Sequence, residues 1–341
     1  MSAPTLRPPS DPAAPSRPAP TPLRPSGLTW TVLRLHRAAL LVWVAALLVA
    51  GALMTWLYVI GPGARAAVVP CATPPTDGLP DCATLRAIHT DENYGVGLDL
   101  VATALSYLML PVAAWAGAAL IGRELESGTA QLAWTQSVTP VRWLAAKLAV
   151  PAVLLTAGTT TAVVLHTVAR RDGNGPLAGA WYDPEVYAST GPVTVAYALA
   201  GLALGALAGL VLRKALPAAG AAFAVTLALS YLMQALRPSL WPTTTMTGRT
   251  ALDLPPDVLV LEHGVVTSDG RRIGNDLACV GSETQAQIRA CMKNSRLSDF
   301  WATVHPESHF WPLQLVESGV LLAVAGAAVA VAFTVLRRRT A

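Results

Sequence analysis

The sequence predicts an all-α polytopic membrane protein. Its parts are six transmembrane helices, an interfacial N-terminal helix, a short cytoplasmic helix between the second and third spans, and a large extracytoplasmic loop before the last span. Three observations carry this. Hydrophobic residues make up 53% of the chain and charged residues only 13%, with a mean hydropathy of +0.47, whereas soluble chains carry about 25% charged residues. Six apolar runs are each close to the ~20 residues that cross a hydrocarbon core. Once those runs are threaded through the membrane, basic residues are denser on one side and all cysteines fall on the other.

Met1–Gly27 is dense in proline and poor in apolar residues other than alanine, so it cannot bury enough surface to offset the entropy of ordering. It is expected to be a disordered cytoplasmic tail. The apolar run that follows is too long for a signal peptide, and no clear cleavage pattern accompanies it. In Leu28–Ala39, Leu28, Val32, Leu35 and Ala39 fall on one helical stripe, with Trp30, Arg34 and Arg37 on the other side. Two readings fit: a helix lying in the interface, or the first span extended by a few turns.

The first span is Ala38–Ile60, and comparable runs follow at Leu100–Ile121, Leu148–Ala169, Val193–Leu212, Ala215–Leu236 and Leu313–Leu336. None contains Lys, Arg or Asp, each of which would cost about 2.5–3.5 kcal/mol at a span centre. The remaining chain, residues 28–341, reads as one transmembrane domain. With the N-terminus inside, the inner segments carry Arg34, Arg37, Arg123, Arg142, Lys147, Arg213, Lys214, Arg337, Arg338 and Arg339, at higher density than the outer loops. Both termini are then cytoplasmic. Arg170 and Arg171, at the outer end of the third span, oppose the rule and stand as a local exception. All four cysteines lie in predicted outer loops: Cys71 and Cys82 in the first, Cys279 and Cys291 in the last. This fits an oxidising exterior and two local disulfides. Four cysteines allow three connectivities, and proximity favours Cys71–Cys82 and Cys279–Cys291, each closure contributing about 3 kcal/mol in the chain-entropy model.

Spans four and five are joined by little more than Arg213-Lys214, which forces a tight inner hairpin. Gly201, Gly205 and Gly209 form a face on span four that another helix can approach closely, either within the chain or on a second copy. Arg237–Pro312 is too long for a simple turn and too polar to span, and reads as an extracytoplasmic cap. Within it, Asp257–Ile273 alternates around Ser268-Asp269-Gly270 and predicts a hairpin.

Gly122–Lys147 is a polar segment closely flanked by spans. If Ile121–Trp134 is helical, Ile121, Leu125, Gly128 and Leu132 share a stripe, Glu124 and Glu126 stand on its shoulders, and Arg123, Ser127 and Gln131 lie opposite. Thr139 is placed to cap the next helix, with Pro140 at its first position. Trp143 and Lys147, one turn apart, suit the water–lipid boundary.

Three stretches carry a resemblance. GRELESGT (Gly122–Thr129), followed by the T-Q-S-x-T-P-x-R-W-L-x-x-K run of Thr135–Lys147, resembles the segment between the second and third spans of type-2 ATP-binding-cassette (ABC) exporter permeases, in particular a bacterial branch with large outer loops. LTWTVLRLHRAAL (Leu28–Leu40) is similar to that branch's pre-membrane segment, and HPESHFWPLQLVES (His305–Ser318) to the start of its last span. The resemblance covers nearly the whole chain after the tail. It implies a permease subunit of an ABC exporter in a bacterial cytoplasmic membrane, paired with a second permease copy or a similar subunit. A separate cytoplasmic ATPase would bind ATP and Mg, and this chain would hold no cofactor. It also implies that the cytoplasmic helix is a coupling helix, with Glu124, Glu126, Gly128, Thr129, Thr135 and Arg142 as the ATPase-coupling positions. The two carboxylates flanking the stripe could meet cationic groups on a docked partner.

Other chemistry is sparse. No phosphate-binding G-x-x-x-x-G-K-[ST] loop exists, so ATP hydrolysis must come from a partner. No basic patch with interleaved aromatics suggests nucleic acid. His305 and His309 in HPESH lack the glutamate position of a zinc hydrolase, and no metal site is expected. Glu317 is the only acidic residue inside a predicted span. It either reaches the headgroups or, with Gln314, faces a hydrated transport pathway. An intramembrane enzyme would need further paired acids or a nucleophile, and a secondary transporter would show repeats and several intramembrane charges. These remain the alternatives to the exporter.

Overall fold

The computed structural model describes residues 28–67, 89–136, 138–172, 175–248, 251, 254–255, 257–274, 290 and 297–340. The proline-rich tail and all four cysteines, with their expected pairing, lie outside the described residues. Among the described residues, six helical stretches are long and apolar enough to cross a membrane: Arg37–Arg65, Glu92–Glu126, Pro140–Ala169, Pro192–Leu212, Ala215–Ser239 and Glu307–Thr340. They correspond in order to the six predicted spans.

Helix α1 (Leu28–Leu35) joins α2 (Arg37–Ala67, span one) without a loop, since His36 N–H donates to Val32 O (3.1 Å) and Leu40 N–H to His36 O (3.0 Å). Span two is composite. It comprises α3 (His89–Ser106), α4 (Met109–Trp115), a π-helical stretch at Ala116–Gly122 and α5 (Arg123–Glu126). Its first irregularity has a local cause: Pro111 has no N–H to give Tyr107 O, which accepts from Leu110 instead (3.0 Å). The short helix α6 (Thr129–Thr135) follows a turn at Gly128. Span three is α7 (Pro140–Ala169), and α8 (Gly175–Ala178) and α9 (Pro184–Ser189) lead to α10 (Pro192–Leu212), span four. Span five is α11 (Ala215–Leu236) with a 3₁₀ turn at Arg237–Ser239, and α12 (Phe310–Thr340) forms most of span six.

The expected hairpin between spans four and five is present. Arg213 takes the left-handed conformation (φ 56°) that closes α10, its N–H donating to Gly209 O (2.9 Å), and Lys214 is extended before α11. The glycine face of α10 is used within the chain. A Cβ on Gly201 would lie 2.6 Å from Met109 O, and one on Gly205 would lie 2.3 Å from Ala113 O. The second half of span two therefore packs directly on span four. Its small residues permit the π-helical stretch to reach span five as well, where Gly117 faces Ala218 O. Gly205→Leu is expected to lose the folded bundle in detergent, because the obstructing atom is backbone and overpacking costs about 1–3 kcal/mol even where side chains can yield. A monodisperse Gly205→Leu protein with an unchanged melting temperature would contradict this packing.

The bundle has two chemically distinct ends. The basic end gathers Arg37, Arg123, Arg142, Arg213 and Arg339, and the opposite end carries a four-stranded antiparallel sheet in the order β1-β4-β2-β3. Its strands are β1 (Thr244–Thr247), β2 (Val258–Thr267), β3 (Arg272–Gly274) and β4 (Leu297–Pro306). The predicted hairpin is β2–β3, turning at Gly270 (φ 85°) with Gly270 N–H donating to Thr267 O (2.9 Å). The all-α expectation thus holds for the spans but not for the segment before span six, where β1 and β4 were not anticipated.

The exception to the charge rule has a structural reason. Arg170 donates to the carbonyls of Ala178 (2.6 Å) and Gly179 (3.3 Å), and Arg171 offers its own carbonyl to Arg65 (3.2 Å) while stacking 5.7 Å from the Tyr58 ring. These arginines fasten the sheet ends of spans one and three.

Candidate functional site

At the basic end, spans one, two and three converge on one polar cluster. Span two ends in α5, which presents Glu124 beside the second turn of α7. Lys147 Nζ pairs with Glu124 Oε1, and Trp143 Nε1–H donates to Glu124 Oε2 (3.1 Å). His36 Nε2 lies 3.0 Å from Lys147 Nζ, and its ring meets Trp115 edge-on at 5.6 Å. An ammonium can only donate, so His36 Nε2 is the bare acceptor and the imidazole is neutral. The side chain of Glu124 is only 13% exposed and that of Lys147 3%.

This differs from three sequence expectations. Lys147 and Trp143 are buried rather than placed at the water–lipid boundary, because span three packs its first turns against α5. Glu124 is not offered outward as a free shoulder. Its carboxylate is held within the chain, as is that of Glu126, which accepts the N–H of Ala215 (2.9 Å) at the start of α11, a placement also favoured by the helix dipole. The expected single stripe ends at Gly128, whose φ of 75° breaks the helix, so Ile121 and Leu125 are buried while Leu132 is 60% exposed.

The other expected coupling residues fall around this turn. Thr129 Oγ1 contacts Ser127 Oγ (3.0 Å) and donates to Glu124 O (3.3 Å), Thr135 donates to Leu132 O (2.8 Å), and the exposed Arg142 gives its backbone N–H to the capping hydroxyl of Thr139 (3.4 Å). The structure therefore places Glu124, Glu126, Gly128 and Thr129 together, with Thr135 and Arg142 on the exposed flank of the same segment. His36, Lys147 and Trp143 complete the cluster and were missed as its members. An unbroken apolar run that admits a lysine one turn after a tryptophan was the available signal.

Burial and the Lys147 charge depress the His36 imidazole from 6.5 to about 4. In the unfolded chain His36 takes up a proton near pH 6.5, so the contribution of the neutral acceptor is full above that pH. It falls as pH drops and is lost below about 4. Wild type is expected to lose on the order of 2–4 °C in melting temperature between pH 7.5 and 5 through this group. His36→Asn keeps an acceptor without titrating and should remove that part of the pH dependence. An unchanged pH profile in His36→Asn would show that the imidazole is not the responsible group.

At the sheet end, Gln314 and Glu317 are both fully buried. Glu317 binds Arg237 through Nε to Oε2 (2.9 Å) and Nη2 to Oε1 (3.3 Å), and Tyr197 O–H donates to Oε1 (2.7 Å). The Arg237 guanidinium lies 3.9 Å above the Tyr187 ring. Gln314 donates to Tyr187 O (2.7 Å) and accepts from Val193 N–H (3.2 Å). Glu317 thus neither reaches toward headgroups nor faces open water, since α9, α10 and the end of α11 enclose it. Its partners Tyr197 and Arg237 do border a cavity of about 40 Å³ that also meets Ser106, Glu185 and Gln234. Arg237, just beyond an apolar run, could have been recognised as the counter-charge to a glutamate one turn inside the next.

Six apolar spans tied at one end by a charge cluster and at the other by a buried arginine–glutamate pair define a multi-pass membrane protein of helical-bundle type. Residues 37–237 match the family described as ABC-2 membrane transporter related, over more than half of the chain, and the chain belongs to that family. It is accordingly a membrane permease, the transport component of a system whose members in general pair with an ABC ATPase. The match runs from the start of span one to Arg237, leaving the sheet and span six outside it. Comparison with curated proteins and with solved structures gave no match.

Proposed function

We propose that this chain is the membrane-spanning permease subunit of an ABC-type exporter in a bacterial cytoplasmic membrane. It forms the substrate pathway with a second permease copy and is driven by a separate cytoplasmic ATPase that binds ATP and Mg. The basic end, with both termini, faces the cytoplasm. The observation that carries this reading is the α5–α6 segment. It is exposed on one flank, through Leu132 and Thr135, with Arg142 exposed on the first turn of α7 that follows it, and tied on the other to spans one and three by His36, Glu124 and Lys147 and to span five by Glu126. An element so connected can pass a displacement to three spans at once, as rigid-body gating requires.

Gly128 and Thr129 supply the turn of this coupling element, and Thr135 and Arg142 its contact surface. Glu317 holds the wall of the pathway at the sheet end by positioning Tyr197 and Arg237, and Gln314 by fixing the backbone of Tyr187 and Val193, rather than by touching substrate. The chain itself binds no cofactor or metal, and nucleic acid is no partner. The test is affinity purification of tagged permease, followed by hydrolysis assays in nanodiscs. An ATPase with a phosphate loop should co-purify, and its rate should depend on the permease. Recovery of the permease with no such ATPase under any mild extraction would overturn the reading.

A further inference from the structure

At the basic end a cavity of about 30 Å³ opens between α6, the α10–α11 hairpin and the last turns of α12. Its floor is apolar, formed by Leu125, Leu210 and Leu336, and its rim carries Arg213, Arg339 and the indole of Trp134. Neither guanidinium has a carboxylate within ion-pair distance among the described residues. Arg339 donates to Leu210 O (2.6 Å), with Val211 O at 3.5 Å. Arg213 reaches the Gln131 amide oxygen (3.2 Å) once that amide is turned to satisfy both its neighbours. A guanidinium has five N–H donors, so most remain available to a ligand. Trp134 Nε1–H is buried and has no hydrogen-bond partner, although it can only donate.

Two unneutralised cations, an unanswered N–H and an apolar floor select an anion carried on an apolar body. The cavity lies where the apolar run of α12 passes into Arg337–Arg339, and Val211 and Leu212 beside it are exposed, so the floor continues onto the lipid-facing surface. A partner protein's carboxylate would satisfy the cations but would leave that apolar continuity unused. We infer that this cavity binds the headgroup phosphate of an anionic phospholipid of the cytoplasmic leaflet. The phosphate lies between Arg213 and Arg339, and the first acyl carbons lie against Leu210 and Leu336. Basic pockets between helices on that side of a membrane commonly take such headgroups. The bound lipid would join α6 to the hairpin and to span six, making the stiffness of the coupling segment dependent on anionic lipid. The inference rests on the proposed cytoplasmic placement of the basic end.

Native mass spectrometry of purified permease, without any ATPase, tests the site separately from the transport reading. One phosphatidylglycerol per chain should be retained roughly tenfold or more over phosphatidylcholine. Arg213→Gln/Arg339→Gln should lose that preference. Arg337→Gln/Arg338→Gln removes the same charge outside the cavity and should keep it. Trp134→Phe, which removes only the N–H, should reduce retention several-fold even if the arginine pair proves too disruptive to purify. Equal retention of the two lipids, or equal loss in both arginine pairs, would overturn the site. Displacement by millimolar inorganic phosphate would identify a free anion as the occupant, against the proposal. So would loss of ATPase association in Arg213→Gln/Arg339→Gln with lipid retention unchanged, which would assign the cavity to a partner's carboxylate.

Discussion

Glu317→Ala is expected to destabilise the permease by about 3–5 kcal/mol, because it strands Arg237 as an unpaired buried cation. The same applies to Arg237→Ala in reverse. The pair lies 80 residues apart in sequence and joins span six to the end of span five, with Tyr197 of span four as a third member. Replacing both by apolar residues of similar volume, as in Glu317→Leu/Arg237→Met, should restore most of the loss, since such substitutions remove the desolvation penalty along with the attraction. Thermal unfolding in detergent distinguishes the outcomes. If the single variants melt as wild type does, the buried pair contributes nothing to stability. If the double variant is folded but transport-dead, the polar lattice is required for the pathway beyond holding the helices together.

Glu124→Lys is expected to be the more severe of the two acidic substitutions in the α5–α6 segment. It places a second ammonium against Lys147 and leaves Trp143 Nε1–H without its acceptor, in a site where both side chains are nearly enclosed. Loss of about 3–5 kcal/mol follows from breaking such a pair, and the folded protein should be poorly recovered. Glu126→Lys, by contrast, removes one accepted N–H at the start of α11 from an exposed side chain, costing about 0.5–1 kcal/mol. Any loss of ATPase binding by Glu126→Lys would therefore report on docking, whereas the same loss by Glu124→Lys would report on the fold. Wild-type thermal stability of Glu124→Lys would contradict the cluster's role.

Much of the architecture was legible in the sequence because it is written in local pattern. Each span is an apolar run, Thr139-Pro140 starts α7 with the cap and first-turn proline it predicts, Arg213-Lys214 closes the α10–α11 hairpin, and Ser268-Asp269-Gly270 turns β2 into β3. What was not legible depends on pairings over long separations. His36 meets Lys147 across 111 residues, and β4 joins β1 and β2 after the chain has passed through a long intervening segment. Glu124 and Glu126 look alike in sequence, two residues apart on one short helix. Only the packing of α7 and α11 against α5 sends one carboxylate to a lysine and the other to a helix start. Residue type likewise suggested that Trp143 and Lys147 sit at a lipid boundary, and burial against α5 reversed that.

In the proposed function the α5–α6 segment passes motion from a docked ATPase to the spans through the Glu124–Lys147 connection. Pulsed EPR distances between spin labels at the exposed positions Val59 and Leu315, recorded with the co-purified ATPase before and after trapping with ADP and vanadate, test it most directly. Wild type should show a shift in the distance distribution on trapping. Glu124→Gln/Lys147→Met, in which the charges are removed together so that the fold is kept, should retain the ATPase and hydrolyse ATP while the distribution stays unmoved. A full wild-type shift in that double variant would contradict the claim.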